Sequence, residues 1–429
     1  MINLVIFGTG KCSDRVESVL YNDKVSIVAY LDNNLEKQGS KRNGRNILSP
    51  KKLNSLEYDY VIVSTRRYNE VLKQLQMYHI PERKIIVYYE NNSLRKEEFG
   101  KFIDIPRWES VVLLDKIDAE IDNIKKTINI RMKNMEYEVA EKIQDKKLFF
   151  PSFYPIDKTL EKIVKEKCSL CRFGDGEFEL MENKVRPNFQ DVNPNLAIRL
   201  KEVVVSNQDN ILIAIAKNYG SLDEYTDEAA DAIRQYMTES VRKQHRKYID
   251  TNRVYHDAYI TRPYILRRDK EKSKIIFDSF KKIWDKRDIV IVEGECTRMG
   301  VGNDLFDNTS SIKRILAPSV NAFNKYDEIL KEVLKINKEI LVLISLGPTA
   351  TVLAYELACS GYQALDIGHL DIEYEWYLSG TDTKMDISNK YVNEVCGGEM
   401  VEECKDESYF NQVIVNLKIT KQRGQDSGN

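Results

Sequence analysis

The sequence predicts an α/β protein built from two doubly wound, Rossmann-like domains joined by a long amphipathic helix. Three observations carry this. Two trains of short β-rich runs alternate with helical patterns. Between them lies a stretch whose apolar residues recur every three or four positions. The length of 429 residues exceeds the roughly 250 to 300 at which a single core stops growing.

Composition narrows the class of partner. With 65 basic and 67 acidic side chains the net charge is −2, and no long single-sign run stands out, which argues against nucleic acid or a membrane surface. The N-terminus enters an apolar run at once, without the basic region and cleavage site of a leader. No apolar segment reaches the roughly 18 residues of a membrane span, so a cytoplasmic protein is expected. Seven scattered cysteines suit reduced thiols, and Cys168 and Cys171, a C-x-x-C with no second pair or nearby histidine, read as buried thiols beside a strand.

Residues 1–90 form the first module. Runs at 2–7, 26–31, 60–64 and 84–89 read as parallel strands. The first enters Gly8-Thr9-Gly10 and a helix from about Ser13, and Asp32 closes the second, the placement of an acid on a dinucleotide ribose. The third glycine of that fingerprint is replaced by Ser13, so a turn that only packs helix on strand is the competing reading. Residues 91–150 are the connector. Leu114, Ile117, Ile121, Ile124, Ile128, Met132, Met135 and Val139 give near-heptad spacing. Packing along a domain of the same chain is favoured over self-pairing, because Thr127, Asn129 and Arg131 are weak coiled-coil choices; a homo-oligomer through residues 107–145 is the second reading. Residues 151–420 form the second domain, with strands at 169–172, 211–216, 288–292, 312–317, 339–346 and 363–367, and residues 421–429 a disordered tail. In mostly parallel sheets ligands bind beyond the carboxyl ends of the strands.

The candidate site residues all lie at such ends. Asp175-Gly176-Glu177 follows a strand that ends near Arg172, and two carboxylates two residues apart at a turn make an oxygen cage for a hard divalent cation; a plain turn with a solvated Glu177 is the alternative. At Gly347-Pro348-Thr349-Ala350-Thr351 a buried strand stops and a helix begins with Pro in its first turn, leaving free backbone donors suited to a diphosphate. The G-x-x-x-x-G-K-[ST] spacing is absent, which counts against ATP hydrolysis. Glu293 and Arg298 sit past another strand amid glycines, as a carboxylate base or sugar ligand and a phosphate partner, or as an ion pair that shapes the loop. Arg262, before Pro263, is a third cationic candidate. His369 and Asp371 end the last strand, where histidine suits proton transfer and the acids equally suit a helix N-terminus.

Five motifs in order, R-F-G-D-G-E-F from Arg172, T-R-P-Y from Thr261, V-E-G-E-x-x-R-x-G-V-G-N-D-L-F from Val292, L-G-P-T-A-T-V-L-A-Y-E-L from Leu346 and D-I-G-H-L-D-I-E-Y-E-W from Asp366, resemble one family. It is the bacterial glycosyltransferases of the GT-D fold, formerly a domain of unknown function, found in glycosylation clusters for serine-rich-repeat surface glycoproteins. The resemblance spans about residues 150–380; the first module and the connector lie outside it. It implies transfer of a hexose, glucose or galactose, from a UDP-sugar to a protein-linked or surface glycan. It also implies that Asp175 and Glu177 carry Mn2+ or Mg2+, with Arg172, Arg262, Arg298, His369 and Gly347 to Thr351 near the nucleotide. Glu293, Asp371 and His369 are then candidates for the acceptor proton. Two other functions compete: an NAD(P)-dependent sugar-modifying oxidoreductase using Gly8 and Gly10, and a scaffold whose long helix positions other transferases.

Overall fold

A computed structural model describes residues 1–90, 95–142, 148, 150–184, 190–395, 398 and 400–417. The tail expected at 421–429 lies outside the described residues. The chain forms two compact units, Met1–Asn129 and Ile130–Asn429, and the division falls inside one continuous helix, Ile105–Lys142.

The first unit holds β1 (Ile2–Phe7), β2 (Val25–Leu31), β3 (Lys41–Arg42), β4 (Arg45–Leu48), β5 (Tyr60–Val63) and β6 (Ile85–Val87), in the order β3-β4-β2-β1-β5-β6. Four of the six are the strands expected from the apolar runs. The β3–β4 hairpin is antiparallel and was not anticipated, since its short, basic sequence, with Ile47 alone buried, carries no apolar alternation. Alternation of side chains across the sheet sorts the core: Leu4 and Ile6 pack on one face, Val5 and Phe7 on the other.

The second unit adds β7 (Ser152–Phe153), β8 (Ser169–Phe173), β9 (Ile211–Ile215), β10 (Val254–Asp257), β11 (Asp288–Gly294), β12 (Ser311–Ala317), β13 (Leu341–Ser345), β14 (Ala364–Asp366) and β15 (Val413–Asn416). They form a nine-stranded sheet in the order β15-β12-β11-β13-β14-β8-β9-β10-β7, and its strands pair in parallel. Helices cover both faces, so the central strands are buried throughout, and alternate residues divide between two cores: Val342 and Ile344 on one side, Leu341 and Leu343 on the other. Burial of each such side chain is worth roughly 1.5–3 kcal/mol. The short edge strands β7 and β15 and the polar β10 lacked the continuous apolar run by which the others were recognised.

Two features of this unit position the site. Strand order reverses at β8: the chain goes on to β9 and β10 on one side, while β14, β13, β11 and β12 stand on the other. That is the switch point where parallel sheets leave a crevice at the carboxyl ends. Secondly, the last turns of the long helix brace helices Asp227–Tyr236 and Glu239–His245. Glu138 takes a bidentate contact from Arg234 at 2.7 and 2.9 Å, Arg242 donates to Asn134 at 2.8 Å, and the Arg242 guanidinium lies 3.8 Å over the Tyr137 ring.

Candidate active site

A cavity of about 610 Å³ opens at this switch point, lined by the strand ends of β8, β13 and β14 together with Tyr259 and Arg262 after β10 and a segment from Lys384 to Glu394. One wall comes from Ala229, Ile233 and Tyr236, on the helix braced by Arg234 and Glu138.

The β8 end is built by a helix cap. Gly174 precedes helix Asp175–Met181, and Glu177 reaches back to accept the Gly174 N–H at 2.7 Å on Oε2, closing a capping box. Burial pushes the Glu177 carboxyl up to about 7. Asp175 accepts the Gly176 N–H at 3.0 Å on Oδ1. Both acids line the cavity, but among the described residues no group of three or more His, Cys, Asp or Glu gathers as a metal site. Two carboxylates suit a cation that takes its other ligands from substrate phosphates and water.

Arg172 sits behind them. Its Nε donates to the Asp366 carbonyl at 2.8 Å and a terminal nitrogen to Asp366 Oδ1 at 2.6 Å. Thr351 ties the pair from the adjacent helix, donating to the Arg172 carbonyl at 2.8 Å. Gly368 is required by this clamp: its φ is +43°, and a Cβ there would stand 2.0 Å from the guanidinium. Burial raises the Asp366 carboxyl above its ordinary range, with Arg172 opposing the shift.

The opposite rim is a second charge cluster. Arg262 pairs with Glu394, lies 3.3 Å from His369 Nδ1 and 3.9 Å from Glu373. His369 Nε2 is 3.1 Å from Asn393 Oδ1, so the partners define a neutral ring that accepts at Nδ1 and donates at Nε2. Removal from water, then the nearby Arg262, press His369 down to about 4. Burial alone would raise Glu394, yet Arg262, then Lys384, hold it well below the usual carboxylate range. Gly347 and Pro348 line the cavity at the start of helix Pro348–Cys359, with Gly347 at φ +53°.

Several expected residues lie elsewhere. Glu293 is fully buried: it accepts the Met299 N–H at 2.8 Å and pairs with Arg314 at 2.6 Å, so Arg298 is not its partner and its carboxylate is absent from the cavity lining. Arg298 donates to the Asn389 and Glu402 carbonyls at 2.8 and 2.7 Å, fastening the later chain. Asp371 reaches the lining, but its oxygens are filled by Gly300 N–H, Asn303 and the buried Lys390, at 2.7 to 2.8 Å. Thr349, Ala350 and Thr351 are buried in the helix–sheet contact and do not line the cavity. The site thus gathers Arg172, Asp175, Glu177, Arg262, Gly347, Pro348, His369 and Asp371, and leaves out Glu293, Arg298 and Thr349 to Thr351.

Sequence reading missed Glu394, Asn393, Lys384, Tyr259 and Asn218, all on the lining. Only Asn218 stood near a readable strand end; Tyr259 follows the polar β10, and the others come from an irregular segment with no periodicity to mark it. In the first unit, Asp32 meets the Thr9 hydroxyl and lies 3.2 Å from Lys37 Nζ.

A parallel α/β sheet with a carboxylate- and arginine-lined cavity at its switch point has the arrangement in which such folds bind ligands. Residues 170–395 match the family described as glycosyltransferase GT-D fold, and residues 1–86 match that described as C2185-like, N-terminal. The chain belongs to the GT-D fold glycosyltransferase family, with a separate C2185-like module in front. It is 37% identical over 271 residues to the probable glycosyl transferase Gly of Streptococcus gordonii, covering 62% of this chain and 39% of that protein. It is 35% identical over 263 residues to the glycosyltransferase GlyD of Streptococcus pneumoniae serotype 4, covering 61% of this chain and 32% of that protein. The chain thus spans about a third to two fifths of the length of these curated relatives. Among solved structures, one described as "The highly conserved domain of unknown function 1792 has a distinct glycosyltransferase fold" is 38% identical with a TM-score of 0.60, covering 62% of this chain and 96% of its own. A glycosyltransferase from Streptococcus sanguinis is 35% identical with a TM-score of 0.59, covering 63% of this chain and 100% of its own.

Proposed function

We propose that this protein transfers a hexose, glucose or galactose, from a UDP-sugar to a protein-linked or surface glycan in the cytoplasm. The single observation that supports this most is the convergence of Asp175 and Glu177 with the Gly347–Pro348 helix start and two arginines in one cavity. Asp175 and Glu177 are the carboxylates we assign to a Mn2+ or Mg2+ ion; Asp175 Oδ1 and Glu177 Oε2 also accept the Gly176 and Gly174 N–H groups. When bound, such an ion supplies charge neutralisation at the donor diphosphate.

The chain's own groups do the rest. Helix Pro348–Cys359 starts at the cavity, so the positive end of its dipole favours negative charge on the leaving diphosphate. Arg172 and Arg262 are fixed before substrate arrives, so their charge costs little reorganisation when negative charge develops on the leaving group. His369, held neutral, orients Arg262 and Asn393. Glu293, Asp371 and Glu394 have their carboxylates already satisfied by Arg314, Lys390 and Arg262, which counts against each of them as the base for the acceptor proton.

The test is release of UDP from UDP-glucose and UDP-galactose with and without Mn2+, for the native chain and for Asp175→Asn with Glu177→Gln. Native turnover that needs the metal and drops on the order of 100-fold in the double variant, with melting unchanged, is expected. Undiminished turnover in that variant removes the assignment.

A further inference from the structure

Leu114, Ile117, Ile121, Ile124, Ile128, Met132, Met135 and Val139 are each between 42% and 65% exposed on the long helix. At 3.6 residues per turn their directions fall within a stripe about 80° wide. From Lys116 to Lys133 no residue is buried on any side. A bare helical stretch of this length is marginal in water, and an uncovered stripe of branched aliphatic side chains is costly to keep there. The expectation that this face packs along its own chain is therefore not met by the exposure of these eight side chains.

We propose that the stripe is the seam of a parallel coiled coil formed with further copies of this chain. Leu114, Ile121 and Ile128 take a positions and Ile117 and Ile124 d positions, the arrangement that inserts knobs into the facing helix. After Ile128 the spacing slips by one residue, and Met132, Met135 and Val139 carry the stripe on as a local eleven-residue step, which straightens the supercoil.

The flanking charges choose the occupant and its direction. Glu120 stands at g and Lys125 at the following e, both exposed, so a parallel copy in register sets each Glu120 against the neighbour's Lys125. Five residues also separate Arg131 from Glu136, which gives a second attractive pair, although Arg131 is shared with Asp231 at 2.7 and 2.9 Å. No like-charged pair arises along the parallel seam. An antiparallel copy instead sets Asp118 near Glu136, acid against acid. Isoleucine at both core positions permits more than two strands, so their number is read from the mass.

The full chain is examined by light scattering after size exclusion, over a range of concentrations. A mass of two or more times 49.9 kDa is expected, falling to one chain in Ile121→Asp with Ile128→Asp. Because that variant can also unwind the helix, charge exchange is the second arm. Glu120→Lys and Lys125→Glu singly raise the dissociation constant about tenfold, and together restore it, in a parallel seam only. A native chain that stays monomeric at every concentration overturns the proposal. So does a double exchange that fails to restore association.

Discussion

At the scale of a residue, the site turns on how one arginine is held. Arg172 comes from β8 and is clamped by Asp366 from β14 and by Thr351 from the intervening helix, with Gly368 yielding the space for its guanidinium. Gly368→Ala introduces a methyl group within 2.0 Å of that guanidinium and forces an L residue to φ +43°, so Arg172 must leave Asp366. Loss of a charge-assisted contact beside a buried acid costs about 2 kcal/mol or more. Thermal melting should fall and the donor KM should rise about tenfold; an unchanged KM with lowered melting would show that Arg172 shapes the fold without meeting the donor. Such a clamp was not legible in sequence. Arg172, Gly368 and Asp366 each sat in a motif that pointed to a strand end, yet the contact joins residues 194 apart. The same limit explains Glu293, whose partner Arg314 lies in the interior of β12 where no motif draws attention to it.

At the scale of the element, apolar runs revealed the central strands because parallel strands are buried on both faces and read as continuous hydrophobic stretches. Edge strands and the irregular segment bearing Glu394 carry no such signal, which is why part of the cavity rim was missed. Histidines placed inside these elements give the fold a particular response to acid. His256 in β10 meets the Thr159 hydroxyl at 2.8 Å and is pressed by burial to about 4; His245, stacked 4.0 Å from Phe178 and set between Tyr219 and Tyr236, is pressed to about 3. Both folded values lie below the ordinary 6.5, so the unfolded chain takes the proton first. The stability they contribute is fully present above about pH 6.5 and is lost as pH falls toward 4 and 3. Between pH 7.5 and 5 each should cost about 2 kcal/mol. His256→Gln, which can keep the Thr159 contact, should shrink the difference in unfolding free energy between those two pH values by about that amount. An equal difference in native and variant proteins would mean that His256 is not neutral in the fold.

At the scale of the whole molecule, the question is what the second unit needs from the rest of the chain. Solved relatives that match 62% and 63% of this chain are covered over 96% and 100% of their own length, so the transferase fold exists elsewhere without a C2185-like module. Here, however, the second unit begins at Ile130, inside the long helix, and those last turns are not idle. Glu138 neutralises Arg234, and Asn134 and Tyr137 receive Arg242, whose guanidinium is half withdrawn from water. The helices so braced carry Ile233 and Tyr236 into the cavity wall. A fragment of residues 130–429 should therefore keep its melting temperature and release UDP within about threefold of the full chain. A fragment of residues 151–429 leaves Arg234 and Arg242 without these partners, a loss of about 2–3 kcal/mol that lowers melting by roughly 5–10 °C. Its donor KM should rise as Tyr236 loses its support, while kcat, which the proposed function assigns to groups at the ends of β8, β13 and β14, should change less. Identical melting and KM in the two fragments would show that the helix end merely rests on the unit. Failure of the longer fragment to fold would show instead that the second unit depends on the first.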